Sequence, residues 1–128
     1  MSAGLLFDTH TLIWSRLEPG KLKTSEQQAI DEAEQLFVSR ASLWELAVLM
    51  RAGRYVIDHA LFELPEGCEW LEILPSHCQA LIDLPLHHRD PFDRMLIAQA
   101  KAERFGLLTR DHAMLRYGRL RDGLLIPD

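Results

Sequence analysis

Only two cysteines, Cys68 and Cys78, occur in the 128-residue chain, ten positions apart and outside any C-x-x-C pair. They offer neither a disulfide framework nor the ligand spacing of a zinc site, and read as reduced thiols. Glycine is sparse, and no group of glycines forms a phosphate-cradling loop: "GRYVIDHALFELPEG" and "GRLRDG" lack the pattern, which counts against P-loop and dinucleotide folds. No apolar run approaches the roughly 20 residues of a membrane helix. The opening "MSAGLLFD" has neither the basic start nor the length of a secretion signal, so a cytoplasmic protein with no membrane association is expected. No Ser-His-Asp or Cys-His arrangement for nucleophilic catalysis stands out.

What is present is an ordinary globular composition, 48% apolar and 26% charged, in a length that suits one domain over residues 1–128. The formal net charge of −5 argues against a nucleic-acid partner until its distribution is read. From His87 to Arg121 eight basic residues, seven of them arginine, face four acidic ones, whereas the rest of the chain is strongly acidic. Arginine suits forked phosphate contacts, so an acid cluster within a basic stretch fits a phosphodiester enzyme; a solvated helical face is the plainer reading.

Short apolar runs alternate with helical patterns along the chain. "GLLFD" predicts a buried strand closing at Asp8, "LFVS" a second over Leu36–Ser39, "WLEIL" a third at a more exposed edge, "GLLT" a fourth, and "GLLIPD" a terminal fifth. Between them lie helices over "THTLIWSRL", "TSEQQAIDEAEQ", "RASLWELAVLMRAGR", "PSHCQALIDLP" and "DPFDRMLIAQAKAERF", with a short one before Pro65 and one or two turns over "RDHAMLRYG". Ser25 with Gln28 and Ser42 with Glu45 have capping-box spacing, and Gly53 and Gly106 are expected helix stops. Strands alternating with helices imply a parallel sheet covered on both faces, with right-handed crossovers.

In such sheets ligands bind beyond the carboxyl ends of the strands. Asp8 ends strand one, Glu45 follows strand two, Asp90 and Asp93 open the strongest helix, and Asp111 follows strand four. If strands one and four are neighbours, these acids converge on one rim. Each also has a plain structural reading. Asp90 before Pro91 is a good N-cap that could still touch a metal or its water, Asp93 sits at the positive end of a helix dipole, Glu45 fits a capping box and Asp111 can cap its own helix. Asp8 is the hardest to dismiss, since an acid ending a buried strand has little stability rationale. Carboxylates about 4 Å apart repel by roughly 4 kcal/mol per pair at an effective dielectric near 20, so the set needs protons or cations. Hard divalent ions such as Mg²⁺ meet that need and support phosphodiester hydrolysis. His10, His87, His88 and His112 near the rim read as surface or packed residues, Thr109 and Arg110 as phosphate contacts or as capping and solvated groups, and Trp14 and Trp44 as packing residues that could serve an interface.

"LLFDTHTLIW", "VSRASLWELAV", "HHRDPFDRMLIAQA" and "LLTRDHAMLRYG" resemble, in order and spacing, the PIN-domain ribonucleases, specifically the VapC-type toxins of toxin-antitoxin pairs. The resemblance spans Leu5 to about Ile126. It implies a three-layer α/β/α sandwich with a parallel sheet of about five strands in order 3-2-1-4-5. It also implies Mg²⁺ or Mn²⁺ held by Asp8, Glu45, Asp93 and Asp111, with Asp90 a possible further contact, an RNA substrate, an antitoxin partner and a homodimer. Two other readings fit the same residues: a non-enzymatic protein-binding module whose acids only cap helices, and a metal-dependent phosphoesterase acting on DNA or small phosphates.

Overall fold

The computed structural model describes residues 4–121 and 124–127. Strand β1 (Gly4–Phe7) leads into α1 (Thr9–Leu17), a 3₁₀ turn over Pro19–Lys21 and α2 (Thr24–Glu32). Strand β2 (Gln35–Ser39) leads into α3 (Arg40–Arg51) and a second 3₁₀ turn over His59–Phe62. Then come β3 (Cys68–Leu71), α4 (Pro75–Asp83), α5 (Pro91–Glu103), β4 (Gly106–Leu108), α6 (His112–Leu115), β5 (Gly118–Arg121) and β6 (Leu124–Pro127). The sheet runs β3-β2-β1-β4-β6-β5. None of the helices among the described residues is long and apolar enough to cross a membrane.

The central strands are short apolar runs because both faces are covered. Leu5 and Phe7 point into a cluster with Leu12 and Ile13 of α1 and Leu46 and Met50 of α3. Leu6, between them, joins Leu96, Ile97 and Ala100 of α5, Met114 of α6 and Leu107 of β4 on the opposite face. A period of two in a strand with no solvent face reads as a continuous apolar stretch. The result is the expected α/β layering, mostly parallel, with strands one to four in the expected order. β3 is an edge strand, as its exposed Glu69 suits, but it pairs two residues earlier than "WLEIL", Cys68 opposite Leu36 and Leu71 opposite Ser39.

The far side of the sheet departs from the single terminal strand expected after β4. The chain forms a ribbon in which β5 pairs antiparallel with β6, and β6 returns antiparallel to β4. β5 thus runs in the direction of β4 with β6 between them; only two residues separate β5 from β6, which suits a hairpin and is far too few for the dozen or more of a parallel crossover, so β6 turns back. Of the expected strand "GLLIPD", Gly123 and Asp128 lie outside the described residues. Gly106 does not end α5: Arg104 takes the left-handed position, φ 61°, and Gly106 instead starts β4, where a Cβ would stand 2.7 Å from Leu124 Cδ1.

A buried polar network joins the start of α3 to the opposite helical layer. Ser39 caps α3 by accepting from the Ala41 N–H and donates its hydroxyl to Gln99 Oε1 of α5 at 2.6 Å. Gln99 Nε2 donates to the Glu72 carbonyl at 3.3 Å. His77 nearby accepts the Leu74 N–H on Nδ1, so its Nε2 carries the proton given to Glu103 at 2.8 Å. Unpaired buried polar groups each cost about 1–3 kcal/mol. Gln99→Met is therefore expected to lower unfolding free energy by about 1–3 kcal/mol in a urea titration while the circular dichroism of the fold is retained; an unchanged midpoint would show that the network does not constrain α3.

Candidate functional site

Helices α1, α3, α4 and α6 follow strands and α5 opens beside the same rim, and three of the acids are N-caps among them. Asp8 caps α1, its Oδ1 accepting the Thr11 N–H at 2.7 Å. Asp90 caps α5, its Oδ1 accepting from the N–H groups of Phe92 and Asp93 at 2.9 and 3.0 Å. Asp111 caps α6 by accepting the Ala113 N–H at 2.8 Å. The stability rationale that an acid at the end of β1 lacks on paper is thus supplied by α1. Thr109 ties two of these caps together: its hydroxyl donates to Asp8 Oδ2 at 2.6 Å and accepts the Asp111 N–H at 3.1 Å. The link exists because β1 and β4 are parallel neighbours, Phe7 opposite Leu108.

Glu45 has no capping role. The α3 cap is Ser39, and Ser42 instead accepts the Thr9 hydroxyl at 3.0 Å. This leaves Glu45 in the second turn, only 5% exposed, with its Oε1 buried and without a hydrogen-bond partner among the described residues. The helix over "TSEQQAIDEAEQ" likewise starts differently from the Ser25–Gln28 box: Lys23 is the N-cap and its N–H is accepted by Glu26 Oε1 at 2.8 Å.

Asp8, Glu45, Asp90, Asp93 and Asp111 line one cleft of about 390 Å³ together with His10, Trp14, His88 and Arg110. Within it, carboxylate oxygens of Glu45, Asp90 and Asp93 lie within 4.8 Å of one another, and a second triplet joins His88, Asp93 and Asp111 at the same spacing. Asp93 belongs to both. Asp8 belongs to neither; it lines the same cleft with both of its oxygens engaged. All five acids named from the sequence therefore share one cleft.

The crowding is visible in the proton affinities. Burial raises the Asp8 carboxyl against the opposing hydrogen bonds of Thr109 and Thr11. Burial also raises Glu45, and the charges of Asp90 and Asp8 add to it. Asp93 is pushed up to about 7, first by burial and then by the negative charges of Asp90, Glu45 and Asp8, although His88 lowers it.

His88 reads from the sequence as a surface or packed residue sooner than as a direct participant, yet its Nε2 lies 2.7 Å from Asp93 Oδ2 and 3.7 Å from Asp111 Oδ2. The available signal was its place two residues before the N-cap, from which a side chain reaches the first helical turn. The basic stretch proves less available than its composition suggests. Arg94 donates to the Pro85 carbonyl and the Tyr117 hydroxyl, at 2.9 and 3.0 Å. Arg110 makes a forked pair with Glu26, at 2.7 and 2.6 Å, and lies 4.2 Å over the Trp14 ring. Trp44 is 66% exposed, its ring edge-on to Phe92.

The PIN domain family model matches residues 5–120. The chain is also 30% identical over 115 residues to Ribonuclease VapC22 of Mycobacterium tuberculosis, an alignment covering 86% of this chain and 88% of that protein. The strand order, the acid-lined cleft at the ends of β1 and β4 and these two similarities agree: the chain belongs to the PIN domain family.

Proposed function

We propose that the chain is a metal-dependent endoribonuclease acting in the cytoplasm as the toxin of a toxin-antitoxin pair, with a homodimer as its working form. One observation carries the metal-centred part. Glu45 buries Oε1 without a hydrogen-bond partner among the described residues, the neighbouring Thr9 hydroxyl being given to Ser42, at a place where Asp90 and Asp93 bring further carboxylate oxygens within 4.8 Å. A buried unpaired carboxylate is costly, and like charges make it more so. The donor set is all hard oxygen apart from His88, which suits Mg²⁺ or Mn²⁺. Asp8, Glu45, Asp93 and Asp111 would hold the ion, with Asp90 as a further contact. When bound, such an ion supplies Lewis acidity toward phosphoryl oxygens and makes water a better nucleophile near neutral pH.

The protein's own groups do the rest. Thr11 and Thr109 fix the Asp8 carboxylate, and the N-terminal turns of α1, α5 and α6 hold their caps by backbone N–H donors, so the acids need little reorganisation when substrate arrives. Arg89, Arg104, Arg116 and Arg119 are exposed and free to meet an RNA backbone, whereas the half-buried Arg94 and Arg110 are engaged by Tyr117 and Glu26. RNA as substrate and an antitoxin as partner rest on the similarity to Ribonuclease VapC22.

Asp8→Asn and Asp93→Asn are each expected to reduce Mg²⁺-dependent cleavage of RNA by about a hundredfold or more with the fold intact by circular dichroism. Cleavage at the parental rate by either variant would reject the assignment, and faster cleavage of DNA or of a chromogenic phosphate would move the substrate class.

A second expectation concerns pH in the presence of a chelator. The folded Asp93 carboxyl titrates near 7 against a reference of 3.8, so between those values the folded chain keeps a proton that the unfolded chain has released. Metal-free stability attributable to this group is therefore full below that window and declines as pH rises through it. The thermal midpoint of the metal-free protein, taken relative to Asp93→Asn across this range, is expected to fall with rising pH and to recover when Mg²⁺ is added; a difference that is flat or rises would contradict the crowding.

A further inference from the structure

The cleft contains two overlapping sets of candidate ligand atoms of different chemistry. Glu45, Asp90 and Asp93 offer oxygen alone, whereas His88, Asp93 and Asp111 add an imidazole nitrogen to two carboxylates. We infer that His88 is a direct ligand in a second cation position that shares Asp93 with the first and takes a divalent transition-metal ion in preference to Mg²⁺. The inference rests on the metal-centred reading above and goes beyond it in ligand and ion type.

Three features of the fold support it. The His88 ring is aimed between two acids from different elements, α5 and the start of α6, with Nε2 2.7 Å from one carboxylate and 3.7 Å from the other. Its backbone is anchored, too. The N–H groups of His87 and His88 both donate to the Tyr117 hydroxyl, at 3.0 and 2.9 Å, and Arg94 donates to the same hydroxyl and to the Pro85 carbonyl. Tyr117 is itself buried, 4% exposed, so the loop that carries His88 is fastened to the core. Such preorganisation is what a ligand on a loop requires. Finally, the neighbouring oxygen-only set includes the partnerless Glu45 Oε1, which points independently to a cation in this cleft.

Ion choice follows from ligand type. Mg²⁺ is satisfied by carboxylates and water, while an imidazole nitrogen raises affinity for first-row transition ions. Binding needs the Nε2 lone pair, so the proton between Nε2 and Asp93 leaves for solvent if Nδ1 already carries one, and otherwise the ring takes its Nδ1–H tautomer.

The test uses the whole chain stripped of metal, with Mn²⁺ alone as probe. Electron spin-echo spectroscopy of bound Mn²⁺ is expected to show ¹⁴N modulation that becomes ¹⁵N modulation when histidine is labelled. His88→Gln should abolish it and weaken Mn²⁺ binding about tenfold or more, while Mg²⁺ affinity shifts far less. His10→Gln, altering the other histidine of the cleft, should leave the modulation in place. Bound Mn²⁺ without nitrogen modulation, or modulation lost with His10 instead, overturns the role of His88 alone. Failure of the wild-type chain to bind either ion overturns the metal-centred reading with it. If His88→Gln does not fold, the wild-type spectrum taken together with that of His10→Gln decides the matter.

Discussion

The parallel pairing of β1 with β4 is the constraint from which the rest of the cleft follows. It sets Asp8 and Asp111 at the ends of adjacent strands, close enough for one threonine hydroxyl to serve both. Each strand end then starts a helix, and the helix N-termini turn their unpaired N–H donors and positive dipole ends toward the same rim. The structural and chemical readings of these acids are therefore not rivals. Asp90 and Asp111 each give one oxygen to a helix cap and keep the other for the cleft, so a single side chain both starts a helix and contributes charge.

Helix dipoles do not neutralise the cleft. With three caps in place, burial and mutual repulsion still raise Asp8, Glu45 and Asp93, and Asp93 reaches about 7. The fold brings its acids closer together than water or backbone donors alone can stabilise. Glu45 is the clearest instance, because its helix is capped by another residue and its buried Oε1 has no hydrogen-bond partner among the described residues, the adjacent Thr9 hydroxyl being given to Ser42.

Much of this could be read from the chain itself, for identifiable reasons. Runs such as "GLLF" and "GLL" are apolar at every position because both faces of a central strand are covered, and the chain places an acid or a serine where β1, β2 and β4 meet their helices. Local signals failed where a distant partner decides. The box formed by Ser42 and Glu45 has ideal spacing, but Ser39, held by Gln99 sixty positions away, takes the cap. The arginine-rich stretch reads as available for phosphate, yet Arg94 and Arg110 are engaged by Tyr117 and Glu26. Strand direction at the end of the chain is equally invisible, since a short apolar run pairs as well antiparallel as parallel. For His88 the sequence offers only its place just before the α5 cap, within reach of Asp93; its second acidic neighbour, Asp111, comes from the folded approach of α5 to α6.

The terminal ribbon has a consequence for how this sheet meets other molecules. By covering β4 it moves the open edge outward to β5, where an exposed Arg119 stands, while the opposite edge, β3, carries an exposed Glu69. Charged side chains on border strands discourage a neighbouring backbone from zipping on, and thus protect the fold against edge-to-edge stacking into fibres.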